Sequence, residues 1–570
     1  MSAHFAGDAS QLPLDYLRGL AIISSGVAVD EGSRVLHIRN PDRSKVALIS
    51  GGGSGHEPAH AGFVGSNSLT AAVGGNVFAS PNSRQVRRAL ELVKNDKGTL
   101  VVVKRYTGDV LNFGLAGESA QDNVRFLVVG DDVAVGRTQG SIVGRRGLAG
   151  TTLVYKVAGW AAAQGANVDE VKRLASLVAD NVGSIGSSFA HCHVPGTKKE
   201  PSHLAEGEME VGMGIHNENG IKKTAIQTKD KLIDDMVEML TSTTDKERSF
   251  IDWKGKGDKA VVMVNNLGGL SELELVGLVP FVLASLKKRN IEAVRLLVGS
   301  FMTSLDMPGF SITTLRLPET DVDTILKGVD APSSAPGWRL PTIPSLNPEP
   351  TPAKVEKESK VPSGLTASPL FTAAITAACN AVIAAEPDIT RYDVIAGDGD
   401  CGLTLKAGGE AILAGIQRGD ITPTDVVNSI RAISAIIEEE MGGTSGALYA
   451  IYFSGLAKAL AAAPKGEITP AQWAQSAASA LDVLSGYTSA RPPSRTLMDP
   501  LFAFTETLPK SGIDAAAAAS KAAAENTAKL VASAGRAAYV DQEALQKEAV
   551  PDPGAWGLAL IFGAFASAAK

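Results

Sequence analysis

An α/β domain over residues 1–331, then a Pro-rich linker at 332–362 and an all-α bundle or barrel over residues 363–570, is the architecture the sequence predicts. Three observations carry that division. Residues 332–362 hold eight of the chain's 28 prolines among Ser, Lys and Glu, too little apolar material to fold, so extended polyproline-like backbone is expected. Before that segment, short β-branched runs alternate with helical spacing, the pattern of helices laid on the faces of a sheet. After it, strand signals nearly vanish and Ala-rich amphipathic segments dominate, the material of closely packed helices. A chain of 570 residues also exceeds the ~250–300 residues that one core supports.

In order along the first half, Val46–Ser50, Leu100–Lys104, Val124–Gly130, Ala260–Asn265 and Val294–Gly299 read as buried strands. Helices are expected at Ser83–Lys94, Gly150–Gln164, Val168–Ala179, Lys231–Leu240 and Glu272–Lys288. In the second half, helices are expected over 370–386, 424–440, 445–463, 470–485, 513–534 and 555–569. At ~3.1 Å per residue the intervening linker would reach up to ~95 Å, far enough to visit another subunit.

Composition excludes several classes. With 44% hydrophobic and 20% charged residues the chain reads as an ordinary globular protein. A net charge of −7 offers no broad nucleic-acid or membrane surface. Three scattered cysteines (Cys192, Cys379, Cys401) suggest a reducing compartment without a disulfide framework. No basic-then-apolar leader and no uncharged apolar run of ~18 residues is seen, so a cytoplasmic protein is expected.

All eight histidines precede residue 217, whereas the tightest acidic cluster, Asp393, Asp398 and Asp400, lies far beyond them. Imidazole chemistry is therefore expected in one domain and metal-type chemistry in the other. Gly51-Gly-Gly-Ser-Gly-His56-Glu-Pro-Ala-His60 follows a strand and reads as a loop whose amides face a ligand oxygen, with His56 at its lip. A tight turn with a capping histidine fits the same residues. It matches neither the dinucleotide nor the P-loop pattern. Lys104-Arg-Tyr-Thr-Gly-Asp109 places opposite charges at the carboxyl edge of the sheet, where open α/β folds bind ligands, although such pairs are often only solvated. His216 in Gly-Met-Gly-Ile-His, taken alone, is more often structural. The three aspartates span eight residues around glycines. Short carboxylates so close repel one another unless a cation such as Mg²⁺ or Ca²⁺ neutralises them, the alternative being a solvated acidic loop. Gly442-Gly-Thr-Ser445-Gly446 precedes a helix and suits either a phosphate or an ordinary cap.

Taken together these motifs resemble the dihydroxyacetone kinase family. Gly-Gly-Gly-Ser-Gly-His-Glu-Pro, Tyr-Thr-Gly-Asp-x-Leu-Asn-Phe and Gly-Met-Gly-Ile-His are similar to its substrate domain, as are Val129-Gly-Asp-Asp132, Gly144–Gly150, Val264–Gly269 and Thr303–Phe310. Gly397–Thr404, Gly442–Gly446, Gly486, Arg495–Pro500 and Asp552–Gly554 are similar to its nucleotide domain. The resemblance implies ATP-dependent phosphorylation of dihydroxyacetone, with the ketone held as a hemiaminal on His216. Asp109 and His56 would then serve as acid–base groups, and Gly53, Ser54, Gly55, His56, Lys104 and Asp109 would bind substrate. It implies two Mg²⁺ on Asp393, Asp398 and Asp400. Nucleotide contacts would come from Cys401, Gly402, Leu403, Thr404, Ser445, Gly446, Gly486, Arg495, Asp552, Pro553 and Gly554. Pro492-Pro-Ser-Arg stands where the family has Gly-Asp-Arg, which puts a loop amide in doubt but not Arg495. A homodimer with domains exchanged through the linker is expected. Glyceraldehyde phosphorylation and cyclising cleavage of FAD with Mn²⁺ are alternatives within the family. A non-catalytic dihydroxyacetone sensor is another, disfavoured because a sensor has no use for the aspartates.

Overall fold

The protein is described here from a computed structural model over residues 4–5, 7–120, 123–198, 202–344 and 361–570. It divides into two compact units between residues 351 and 352.

The first unit holds two six-stranded sheets where the sequence suggested one. The first has the order β1 (Val27–Asp30), β2 (Val35–Ile38), β4 (Ala71–Val77), β3 (Ala47–Ser54), β5 (Thr99–Lys104), β6 (Val124–Val129). Its β4, β3, β5 and β6 run parallel, and β1–β2 close one edge as an antiparallel hairpin. The second has the order β11 (Ile291–Gly299), β10 (Asp258–Asn266), β12 (Gly309–Arg316), β7 (Val182–Ser188), β8 (Glu208–Val211), β9 (Lys222–Ala225). The expected strands all form. Among those unforeseen, β4 reads Ala-Ala-Val-Gly-Gly-Asn-Val and β7 Val-Gly-Ser-Ile-Gly-Ser-Ser, and neighbouring strands rather than propensity hold these two.

Helix Gly150–Ala163 packs against strands of both sheets and is buried on nearly every side, as its Ala, Val and Gly content allows. Gly159 is required there, because a Cβ would lie 2.5–2.6 Å from the Ser68 backbone. The helix expected over Glu272–Lys288 is two, Glu272–Gly277 and Val279–Lys288. Pro280 in the first turn of the second lacks the N–H needed to continue the first.

The linker expectation fails for residues 332–344. Residues 332–344 strap onto the first unit: Gly337 N donates to Gly62 O (2.8 Å), Ser66 N to the Ser334 hydroxyl (2.9 Å), and Thr342 pairs with Leu296. Trp338 is buried, its ring 6.2 Å from Phe301 and 6.5 Å from Phe63. Proline content signalled stiff backbone, and burial of an indole turns stiff backbone into a strap. Residues 345–360 of the expected linker lie outside the described residues.

The second unit is helical as expected, with one two-residue strand pair, Leu365–Thr366 with Gly466–Glu467. Two helices absent from the sequence reading, Glu386–Ala396 and Cys401–Arg418, flank the acidic cluster. The helix expected over 513–534 is the second part of Met498–Asn526, which breaks at Gly512 (φ 81°), and it ends eight residues sooner than expected, with Thr527–Lys529 as a 3-10 turn. Leu545–Ala568 is apolar and long enough to cross a membrane by composition. In the fold, its Pro553–Ala568 part packs against Phe371–Ala384 and Met498–Asn526 as a bundle helix.

Candidate active site

In the first unit the site forms at strand ends. Gly51–Ser54, expected as a loop, continue β3, and the glycines serve close backbone approach. A Cβ on Gly51 would collide with Val73 O, and one on Gly53 would lie 2.8–3.0 Å from the backbone of Phe78 and Ala79. The chain turns after Ser54, whose hydroxyl donates to Gly75 O (2.9 Å), while the Gly55 amide donates to Glu57 Oε2 (2.9 Å). That turn delivers His56 into the interior. Lys104 ends β5, and Asp109 lies in the first turn of helix Thr107–Glu118 just beyond it, where the helix dipole favours a carboxylate.

Although 160 residues apart in sequence, His56 and His216 meet with their Nε2 atoms 3.0 Å apart. His56 Nδ1 lies 2.9 Å from Thr303 O, a carbonyl that only accepts, so Nδ1 carries the proton and Nε2 presents a lone pair. His216 Nδ1 lies 3.2 Å from Glu218 Oε1, and its backbone N–H donates to Oε2 at 2.8 Å. The carboxylate therefore fixes a proton on Nδ1 and frees Nε2. Two lone pairs face each other at hydrogen-bond distance. One further proton shared between them, or a turn of one lone pair toward an electrophilic carbon beside the pair, resolves the conflict. Phe78 and Tyr106 present their rings to His216 at 5.1 and 4.5 Å.

Around this pair the buried charges are unusual. His56 and Lys104 are fully buried and Asp109 nearly so. The Lys104 ammonium has no hydrogen-bond partner and lies 5.1 Å over the Tyr106 ring. Desolvation pushes it down to about 8 against the pull of Asp109, Glu218 and Glu57. Desolvation also raises Asp109 and Glu57, and drives His56 and His60 well below the ordinary imidazole value. Asp109 accepts from the Ser80 hydroxyl. A Cβ on Gly52 would lie 3.2 Å from Asp109 Oδ2 and 3.6 Å from His60 Nε2, so both groups border that glycine. Burial would raise Glu218 as well, but the hydrogen bonds it accepts from the His216 ring and backbone N–H, with the charge of Arg146, hold it at about 2. Perturbed acids, a lysine and imidazoles converging in one buried place mark a reactive site. His60, Glu57, Tyr106 and Glu218 belong to it and were not assigned roles from sequence. The His-x-Glu spacing of His216 and Glu218 was the available signal for the last.

In the second unit, Asp393 occupies the last turn of Glu386–Ala396, and only residues 397–400 separate it from the next helix. The carboxylates of Asp393, Asp398 and Asp400 each place an oxygen within 4.8 Å of the others. Asp393 Oδ2 accepts the Cys401 amide at 2.9 Å, and a Cβ on Gly397 would collide with its other oxygen. Arg536 pairs with Asp398 at 2.9 Å, one cation against three acids. Hard oxygen donors so arranged fit Mg²⁺. Arg495 is buried with a left-handed backbone (φ 58°); its Nη2 donates to Val550 O (2.9 Å), and its Nη1 has no hydrogen-bond partner and lies 3.9 Å from Asp552. Burial pushes Asp552 up to about 6 while it caps helix Pro553–Ala568 through the Ala555 amide at 2.8 Å. A buried guanidinium with a free N–H suits a phosphate oxygen. Burial pushes the Cys401 thiol up to about 12, with Asp393 and Asp552 adding to the rise and Ser445 opposing it. Gly446 and Gly402 have packing reasons, since a Cβ would strike Met441 O on one and the Thr390 hydroxyl on the other. Leu403 is exposed, Thr404 N donates to Asp400 O (2.9 Å), and Gly486 caps helix Pro470–Ser485.

Residues 18–337 match the Dak1 domain and residues 395–567 the DAK2 domain. The chain is 42% identical to dihydroxyacetone kinase 2 of Saccharomyces cerevisiae over 97% of each chain. It is 36% identical to human triokinase/FMN cyclase over 96% of each. The crystal structure of the dihydroxyacetone kinase of C. freundii superimposes with a TM-score of 0.66 at 31% identity, covering 100% of both chains. The same kinase in complex with AMP-PNP and Mg²⁺ gives 0.62. An α/β unit with buried imidazoles and a helical unit with an acidic cluster are the two parts of a phosphotransferase. The chain belongs to the dihydroxyacetone kinase family.

Proposed function

We propose that the chain transfers phosphate from ATP to dihydroxyacetone held covalently on His216. The observation that carries this reading is the facing pair of Nε2 lone pairs, with Glu218 fixing the His216 tautomer. Nε2 of His216 adds to the ketone carbon, and the C=O π pair moves onto oxygen. The Lys104 ammonium, pushed down to about 8, delivers a proton to that oxygen, while Nδ1 keeps its own proton against the Glu218 carboxylate, which balances the imidazolium charge of the hemiaminal. His56 and Lys104 border the developing alkoxide, Lys104 as a buried cation without a partner. Asp109, raised by burial, accepts the proton of the hydroxyl that is phosphorylated. A polyol has no carbonyl to capture, so glycerol is rejected without a large pocket. Glyceraldehyde offers a carbonyl as well, in line with the triokinase name of the human relative.

Asp393, Asp398 and Asp400 would hold two Mg²⁺, which neutralise the phosphate charge during transfer. Arg495 supplies its free N–H to a phosphate oxygen, and Asp552 holds the wall in place by capping the following helix. The work of this unit is positioning.

Intact-mass spectrometry of the protein with dihydroxyacetone tests the capture. The account expects an adduct of one whole substrate, absent in His216→Ala. A hemiaminal loses no water. An adduct lighter by one water, abolished in Lys104→Met instead, would identify an imine on the buried lysine and overturn the assignment.

A further inference from the structure

β6 is an edge strand, and beside it lies an open cavity of about 540 Å³ within the first unit, lined in part by Arg105, Arg137, Arg145, Phe250, Ser176 and Asp180. Arg137 and Arg145 both lie over the Phe250 ring, their Cζ atoms 4.5 and 4.2 Å from its centroid. Arg105 runs along Gly144, where a Cβ would lie 3.0–3.1 Å from its Nε and Nη1. Arginines gathered this closely normally carry partner carboxylates. Among the described residues, no ion pair involves any of these three.

The neighbouring acids are committed elsewhere. Asp131 accepts the amides of Leu148 (2.6 Å) and Gly150 (2.8 Å). Asp132 pairs with Arg146 at 2.7 Å, and Glu247 accepts the amide and hydroxyl of Thr138. Among the described residues, Asp180 is the only carboxylate on the wall. Arg145 Nη1 is buried without a hydrogen-bond partner. Desolvation works against its charge, and Arg105 and Arg137 add repulsion to the opposing pull of Asp131 and Asp132.

The side chains along two segments alternate. Lys104 and Tyr106 serve the histidine site while Arg105, between them, faces the cavity. Arg146 donates to Gly212 O (2.8 Å) beside the His216 segment, whereas its neighbour Arg145 faces the cavity. The cavity therefore lies behind the substrate site and is separate from it.

We propose that this cavity binds a phosphate group, free or carried by a small molecule. Planar guanidinium forks match phosphate oxygens in pairs, and the Phe250 ring presets two of the three forks. A phosphate dianion balances the excess positive charge and supplies the partner that Arg145 Nη1 lacks. Because two guanidinium groups already lie over the Phe250 ring, the site selects for charge and not for a base or ring.

Isothermal titration of the full chain, without Mg²⁺ and in low-salt buffer, tests this with inorganic phosphate and glycerol 3-phosphate in separate arms. Neither probe has a carbonyl for His216. Saturable one-site binding is expected in at least one arm, and the arm that binds more tightly identifies the free or the esterified form. Binding should weaken at least about tenfold in Arg105→Gln/Arg137→Gln. Ser176→Glu, which keeps all three arginines and puts a carboxylate into the cavity, should weaken it equally. His216→Ala and Asp398→Asn should bind as the wild type does. No saturable binding, binding indifferent to Ser176→Glu, or binding lost in Asp398→Asn would each overturn the proposal. The readout needs no kinase turnover, so its failure is distinct from failure of the proposed function.

Discussion

Replacing Lys104 by methionine should make the protein more stable and less active. The wild-type ammonium is fully buried and lacks a hydrogen-bond partner. Its fall from 10.5 to about 8 corresponds to a penalty of about 3 kcal/mol on the charged form. The sign follows from proton counting. Below pH 8 the group is charged in both folded and unfolded chains, and the whole penalty weakens the fold. Between pH 8 and 10.5 the unfolded chain binds more protons than the folded one, so wild-type stability rises with pH. Above 10.5 the charge penalty is gone. Methionine fills similar volume and carries no charge. At pH 7 the variant gains up to about 3 kcal/mol, reduced by the support that Asp109 and Glu57 lose. For a unit of about 350 residues this is a rise of about 4 °C in its melting temperature. Differential scanning calorimetry of both proteins at pH 7, 8, 9 and 10 reads the difference directly. It should shrink steadily toward the alkaline end and leave one transition, that of the helical unit, unmoved. A variant that melts below wild type at pH 7, or a difference constant with pH, would refute the reasoning.

Other outcomes follow from the same geometry. Glu218→Gln should cut ketone capture by at least about tenfold while leaving ATP binding unchanged, because an amide no longer fixes the His216 tautomer; equal capture by mass spectrometry would make Glu218 a bystander. The stability that wild-type Glu218 contributes is complete above pH 4.5 and is lost as pH falls toward 2, so the variant should show a shallower acid transition. Asp398→Asn and Asp400→Asn should each lose Mg²⁺-dependent ATP binding by titration calorimetry and retain ketone capture. Mixing inactive His216→Ala and Asp398→Asn chains and letting subunits exchange should restore a sizeable fraction of activity if domains cross between subunits; no recovery after verified exchange would reject the crossed homodimer.

What the sequence disclosed depended on distance along the chain. The aspartates were legible because their three carboxylates fall within eight residues, yet their placement on a helix end was not. Glu386–Ala396 has a weak amphipathic pattern, and its glycine neighbours read as a loop. His56 and His216 were each readable only as lone histidines; no local pattern announces a contact across 160 residues, and the family motifs supplied the connection. Gly51–Ser54 looked like a ligand loop because glycine serves both turns and close strand packing, and only the neighbouring Val73 and Phe78 backbone separates the two. Residues 332–344 read as linker because proline content reports stiffness, while docking depended on one tryptophan.

A chain that joins a carbonyl-capturing histidine site to an acidic phosphate site should phosphorylate a short ketose with ATP and leave a polyol untouched. Quantifying phosphorylated product from dihydroxyacetone, glyceraldehyde and glycerol with Mg²⁺ and ATP, for wild type, His216→Ala and Asp398→Asn, tests it most directly. The account predicts product from dihydroxyacetone with wild type alone, product from glyceraldehyde at some rate, and none from glycerol. Full activity in His216→Ala, or glycerol phosphorylated as readily as the ketone, would contradict it.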